Sequence, residues 1–152
     1  MRTSSAALER LPAEETDPRP SGLRAVDPLT RRILVVDDDA AMLDVMSRTL
    51  SLNSYEVDTA RTVEEALPLA LTGRHHGILL DLILPDANGL FLYRKLARED
   101  PSLSSRVIFV TGMLDRTEVR RFRKLVHNRL LLKPFDLYDL LKAVKDVAAS
   151  RD

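Results

Sequence analysis

The amino-acid sequence predicts an α/β protein with a doubly wound parallel sheet. Two patterns carry this expectation. Five short strand-like runs alternate with five segments of helical periodicity, so the chain from residue 31 onward repeats a βα unit five times. Four of those runs, ILVV, ILL, VIFV and LLL, are apolar at every position, as in strands covered by helices on both faces. Each of the four also ends in polar residues: Asp37, Asp38 and Asp39, then Asp81, Thr111 and Lys133.

The elements follow in order. The first strand spans 32–37 and leads into a helix over 39–51, where Met42, Leu43, Met46 and Leu50 recur at helical spacing. The second strand, 55–59, lies in YEVDTA, which alternates in polarity and so belongs nearer an edge of the sheet. Thr62 with Glu65 reads as a capping box for a helix over 62–72, which should kink or shorten at Pro68. A third strand over 77–81 ends in Asp81, and Asn88-Gly89 turns the chain into a helix over 88–99. The fourth strand spans 106–110, and Asp115 caps a helix over 115–127. The fifth strand, 130–133, precedes a helix over 136–149 capped by Asp136, with Leu137, Leu140, Leu141 and Val144 on one stripe. Residues 1–30 carry four prolines and scattered charges; they read as a disordered N-terminal extension or linker, with a short helix compatible with 4–11. The folded domain is expected at 31–150.

Composition narrows the function. The chain has 152 residues, 45% hydrophobic and 30% charged, with a formal net charge of zero. Nothing in that balance argues for bulk attraction to nucleic acid or a membrane surface. There is no cysteine, which excludes disulfides, thiol catalysis and cysteine metal sites and fits a cytoplasmic protein. The longest apolar runs are about six residues, against the roughly 20 needed to span a bilayer, and the N-terminus lacks a signal-like apolar core.

The strand ends carry the chemistry. Side chains at the carboxyl ends of parallel strands converge on one edge of an open α/β sheet, where such folds place their ligands. Asp37 and Asp38 are suited to a hard divalent cation, which prefers oxygen ligands; the alternative is a solvated pair beside a helix start. Asp39 is better placed as the cap of the first helix. Asp81 ends a fully apolar strand, so its burial calls for pairing or a metal, and with a metal it could act as a nucleophile on phosphorus. Thr111 could bond a phosphoryl oxygen, with Gly112 leaving room for it. Lys133 follows a buried run and calls for an anionic partner, unless it reaches solvent.

With these positions in hand, the sequence resembles the receiver domain of two-component response regulators. The resemblance covers about residues 31–150 and rests on ILVVDDD, LLDLILPDANG, VIFVTG and LLLKPF. It implies a flavodoxin-like fold with strand order 2-1-3-4-5. It implies that Asp81 accepts a phosphoryl group from the phosphohistidine of a histidine kinase or histidine phosphotransfer protein. Asp37, Asp38, Asp81 and the backbone carbonyl of Ile83 would hold Mg2+ (or Mn2+), Thr111 would bond and report the phosphoryl group, and Lys133 would bridge Asp81 or its phosphoryl oxygens. Output would pass through the face of the fourth helix, fifth strand and fifth helix (α4-β5-α5), which would also serve a homodimer. The domain would not be an enzyme beyond its own phosphorylation and autodephosphorylation. The stretch from VIFVTG to LLLKPF is similar to receivers attached to hybrid histidine kinases, which implies a phosphorelay.

Some positions depart from the family pattern. Leu130 stands where the family carries an aromatic switch residue, three positions before the lysine. Asn128 stands where glycine is common. Ile83 and Met113, which flank the phosphoryl group in the family, are both apolar here. The fourth helix is basic, with Arg116, Arg120, Arg121, Arg123 and Lys124: a solvated face, or one that meets an acidic partner. His75, His76 and His127 are expected in loops or at the surface. Two competing functions remain. A phosphatase or phosphotransferase with an Asp nucleophile would resemble D-x-D-x-T at the first strand; Asp37 and Asp39 fit, but Ala41 replaces the Thr. A pseudo-receiver scaffold would not need all the chemical positions.

Overall fold

A computed structural model of the chain describes residues 30–112 and 114–150. The extension expected over 1–30, its short helix over 4–11 and Met113 therefore lie outside the described residues, apart from residue 30. The elements are β1 (Arg31–Val36), α1 (Ala40–Leu52), β2 (Tyr55–Ala60), α2 (Val63–Leu71), β3 (Gly77–Asp81), α3 (Gly89–Glu99), a short helix (Pro101–Ser104), β4 (Val107–Thr111), α4 (Arg116–Leu125), β5 (Leu130–Leu132) and α5 (Leu137–Ala149). The five strands are all parallel, in the order β2-β1-β3-β4-β5. Val36 pairs with both Ala60 and Leu80, Asp81 with Val110, and Thr111 with Leu132. This register ends the strands nearly level and puts their polar terminal residues on one edge.

Strand alternation divides the core into two layers. Leu34, Val36, Ile78, Leu80, Val107 and Phe109 face α2, α3 and α4, where they meet Ala66, Ala70, Leu92, Leu96 and Phe122. Ile33, Val35, Leu79, Ile108 and Val110 face α1 and α5, against Leu43, Met46, Leu50, Leu140 and Val144. Each fully buried aliphatic or aromatic side chain contributes about 1.5–3 kcal/mol of transfer free energy. β1, β3 and β4 are buried along their apolar runs, whereas β2 is half-buried at one edge as its alternation predicts.

The structure corrects some of these expectations and adds detail to others. β5 lies at the edge that the expected order 2-1-3-4-5 gives it, but its LLL run is not covered along its whole length, and Leu132 is 43% exposed. α2 continues three residues beyond Pro68, in a helix of only nine residues. Thr62 accepts from the Glu65 N–H as a cap should, but the Glu65 side chain reaches back to the N–H of Arg61 rather than of Thr62, so the box is not reciprocal. The short helix Pro101–Ser104, capped by Asp100, has too few residues to show a period. His75 sits in a loop but is only 1% exposed.

The burial of His75 follows from a polar cluster beneath β1 and β2. His75 Nε2 lies 2.7 Å from Asp58 Oδ2, and Arg32 donates to Asp58 at 3.0 Å and to Glu56 at 2.7 Å. Arg106 Nη1 donates to the carbonyls of Gly73 at 3.1 Å and His75 at 3.0 Å, closing the loop over the cluster. Burial works against the Asp58 carboxylate, yet the hydrogen bonds from His75 and Arg32 outweigh it and hold its pKa below the ordinary value. Burial pushes the His75 imidazole down from its usual 6.5, against the opposite pull of Asp58.

Asn128, at the position where glycine was expected, has a structural task. Its Nδ2 donates to the carbonyls of Ser104 and Val107, both at 2.8 Å, and its Oδ1 accepts from the Tyr93 hydroxyl at 3.2 Å. It thus ties the entry of β5 to β4 and α3. Asn128→Ala should lower stability by about 1–3 kcal/mol, read from urea unfolding, because two buried carbonyls lose their side-chain donor. The depressed His75 pKa gives a second prediction. The unfolded chain takes up the proton first as pH falls through about 6.5, so the His75 contribution is present above that value and declines below it. Between pH 7.5 and 5.5 the wild-type urea midpoint should fall by more than that of His75→Gln, and parallel pH dependences would refute the assignment.

Candidate functional site

The site forms where β1, β3, β4 and β5 end. Asp37 follows β1 directly and is 1% exposed; its N–H donates to the Ala60 carbonyl at 3.1 Å, and its Oδ1 accepts from the Asp39 N–H at 2.9 Å. Asp39 caps α1, its Oδ1 accepting from Ala41 and Met42 at 2.9 and 3.2 Å. The sequence expectation for Asp39 is thereby borne out. Asp38 lies between them with its side chain exposed. Asp81 ends β3, nearly buried, and its Oδ1 accepts from the Ile83 N–H at 3.0 Å.

Lys133 closes the site from the end of β5. Its Nζ donates to Asp37 Oδ2 at 2.8 Å and to Asp81 Oδ2 at 2.9 Å. The ammonium was expected to bridge Asp81 or its phosphoryl oxygens; here it bonds Asp81 and also Asp37, joining the ends of the first and third strands. Burial raises the pKa of Asp37 above the ordinary carboxylate value, and the bond from Lys133 opposes that without cancelling it. Burial also works against the Lys133 ammonium, but its hydrogen bonds to the two carboxylates outweigh this and raise its pKa.

Oxygen atoms of Asp37, Asp38 and Asp81 lie within 4.8 Å of one another. Lys133 pairs with two of these three carboxylates, so the cluster carries excess negative charge. An all-oxygen donor set of this kind fits a hard divalent cation. Thr111, at the end of β4, is fully buried, and its Oγ1 has no hydrogen-bond partner among the described residues. A buried hydroxyl without a partner is costly, by about 1–3 kcal/mol, and suits a site completed by a ligand. Ile83, Leu84, Pro85 and Gly112 join the acids and Lys133 around an open cleft of about 410 Å³.

Close approach demands glycine at position 89 and leaves little room for a side chain at position 112. A Cβ on Gly89 would lie 2.4 Å from the Asp81 carbonyl oxygen, so the turn into α3 can pass behind Asp81 only without a side chain. A Cβ on Gly112 would stand 3.1 Å from Lys133 Cβ, where the chain leaving β4 crosses the lysine. Leu130 is buried among Phe109, Phe122 and Val126, in the core beneath α4.

Two residues at the site escaped the sequence reading. Asp86, in the loop after Asp81, accepts from the N–H groups of Val63 and Glu64 at 2.9 Å each and so caps α2 from another strand's loop. Those two bonds hold its pKa below the ordinary value. Arg61 donates from Nη2 to the main-chain carbonyl of Asp38 at 2.9 Å. Both contacts cross more than 20 residues of sequence, and no local spacing signals them.

Comparison with known proteins agrees with this geometry. Residues 33–145 match the response regulator receiver domain family. The chain is 33% identical over 114 residues to the response regulator MprA of Mycolicibacterium vanbaalenii, an alignment covering 75% of this chain and 48% of MprA. It is 28% identical over 116 residues to the response regulator ArlR of Staphylococcus aureus, covering 76% and 52%. The chain thus spans about half the length of the curated relatives it matches. Among solved structures, a CheY-like receiver domain protein from Methanospirillum hungatei superposes with a TM-score of 0.71 at 31% identity, over 80% of this chain and 96% of that one. The strand order, the acidic cluster at the strand ends and the match over residues 33–145 lead to one conclusion: this chain belongs to the receiver domain family of two-component response regulators.

Proposed function

We propose that this domain is a phosphoacceptor switch in which Asp81 takes a phosphoryl group from the phosphohistidine of a histidine kinase or histidine phosphotransfer protein. The observation that carries the reading is the Lys133 ammonium held between Asp37 and Asp81 at the same strand edge as the buried, unpartnered Thr111 hydroxyl. An Asp81 carboxylate oxygen attacks phosphorus, the P–N bond to the donor imidazole breaks, and an acyl phosphate forms. Lys133 then exchanges its bond to Asp81 for one to a phosphoryl oxygen, and Thr111 donates its hydroxyl to another. Asp37, Asp38, Asp81 and the Ile83 carbonyl would hold Mg2+ or Mn2+, which neutralises charge on the transferred group. The switched surface is α4-β5-α5, where a homodimer or an acidic partner would meet the basic α4. Direct nucleic-acid contact is not part of the proposal. Among the described residues no helix is long and apolar enough to cross a membrane; the proposed place of action for the domain is the cytoplasm.

The phosphatase reading is disfavoured by Asp39. The second acid of D-x-D would have to serve the reacting groups, but its Oδ1 caps α1 through two main-chain N–H groups. Incubation with acetyl phosphate and Mg2+, read by intact mass, should add one phosphoryl group to the wild type and none to Asp81→Asn. Lack of uptake by the wild type would instead favour the scaffold, and sustained turnover of a phosphoester would favour the phosphatase.

The half-exposed, apolar Ile83 side chain at the cleft rim supports a second expectation, slow autodephosphorylation. Ile83→Asn, which offers an amide to an attacking water, should shorten the lifetime of the phosphorylated protein several-fold. Unchanged or slower decay would remove the apolar rim from the account.

A further inference from the structure

We infer that Arg61 is a positioning residue for the divalent-cation site, acting by fixing the main chain that aims the Asp38 carboxylate. The inference rests on the reading that Asp37, Asp38 and Asp81 hold a divalent cation. The acids are supported unequally. Asp37 is fixed by its own N–H, by the Asp39 N–H and by Lys133. Asp81 is fixed by the Ile83 N–H and Lys133. Asp38 has an exposed side chain, and among the described residues the only side chain that hydrogen-bonds to residue 38 is Arg61, through the Asp38 carbonyl at 2.9 Å.

Arg61 is itself anchored where such support is useful. Its N–H donates to Glu65 Oε1 at 2.8 Å, and the Glu65 N–H donates to Thr62 Oγ1 at 3.0 Å. The first two N–H groups of α2, those of Val63 and Glu64, are taken by Asp86, from the loop that follows Asp81. The start of α2 therefore holds the loop of Asp38 through Arg61 and the loop beyond Asp81 through Asp86. Outer-shell partners of this kind orient ligands and change metal affinity without touching the metal.

A guanidinium near a cation site has two opposed effects, and they differ in sign. Positioning the Asp38 main chain strengthens cation binding; the positive charge weakens it, by an amount that salt screens at an exposed site. Removal of Arg61 therefore tells which effect dominates. Lysine keeps the charge and a single donor, whereas alanine keeps neither.

The test is Mg2+ titration of the unphosphorylated full chain by calorimetry at about 0.15 M salt, with urea unfolding in the absence of Mg2+ as a control. Arg61→Ala should raise the Mg2+ Kd about tenfold, with Arg61→Lys recovering much of the loss and the metal-free urea midpoint unchanged in both. Unchanged or tighter binding in Arg61→Ala overturns the inference and leaves the cation site standing. A metal-free midpoint that falls together with the affinity, and is not restored by lysine, assigns Arg61 to general loop stability and overturns it as well. Absence of saturable Mg2+ binding by the wild type would remove both the cation site and this role.

Discussion

The site depends on one ammonium placed between two carboxylates from different strands. Asp37 and Asp81 terminate neighbouring strands, and the level register of β1 and β3 would bring two negative charges together at low dielectric. Lys133, crossing from the far edge strand, makes that arrangement tolerable. The surrounding construction serves this contact. Gly112 lets the chain leaving β4 pass over the lysine stem, and Gly89 lets the turn into α3 pass behind Asp81. The cis peptide between Lys133 and Pro134 shapes the exit from β5 just after the ammonium is delivered.

Much of this was legible in the sequence because it is written in local pattern. Fully apolar runs marked the central strands, and alternation marked β2 as an edge. Capping residues such as Asp39, Asp115 and Asp136 appeared one position before their helices. The gathering of Asp37, Asp81, Thr111 and Lys133 also followed from position, since each stands at the carboxyl end of a parallel strand. What escaped was non-local or depended on edge position. LLL in β5 has the composition of a strand covered on both faces, yet Leu132 at its end is left exposed. His75 has no apolar context in sequence, yet Asp58 and Arg106 hold it in the interior. Asp86 and Arg61 act on partners two elements away, and their neighbours in sequence give no sign of it.

Leu130, in place of the expected aromatic, changes the physical character of the core beneath α4. Aromatic packing remains, but on β4: Phe109 lies 5.3 Å from Tyr93 and 4.9 Å from Phe122, centroid to centroid. Phe109 stands two positions before Thr111 on the same strand and face. The aromatic contact between the strand that carries Thr111 and the helix α4 is therefore made by a ring fixed in the core rather than by one on the edge strand. Tyr93 extends this packing to Asn128 through its hydroxyl, so α3 and the entry to β5 share the same cluster.

The excess negative charge at the strand ends also has a consequence for folding equilibrium. The gathering of all three carboxylates within 4.8 Å exists only in the native chain, because unfolding separates Asp81 from the adjacent pair Asp37 and Asp38. A cation held by all three would therefore favour the native state, by up to RT ln(1 + [L]/Kd), about 1.4 kcal/mol at ten times Kd. With the proposed cation bound, the ionic composition of the surroundings would become part of the fold's thermodynamic definition, and a stability measured in a chelating buffer would describe the metal-free state alone.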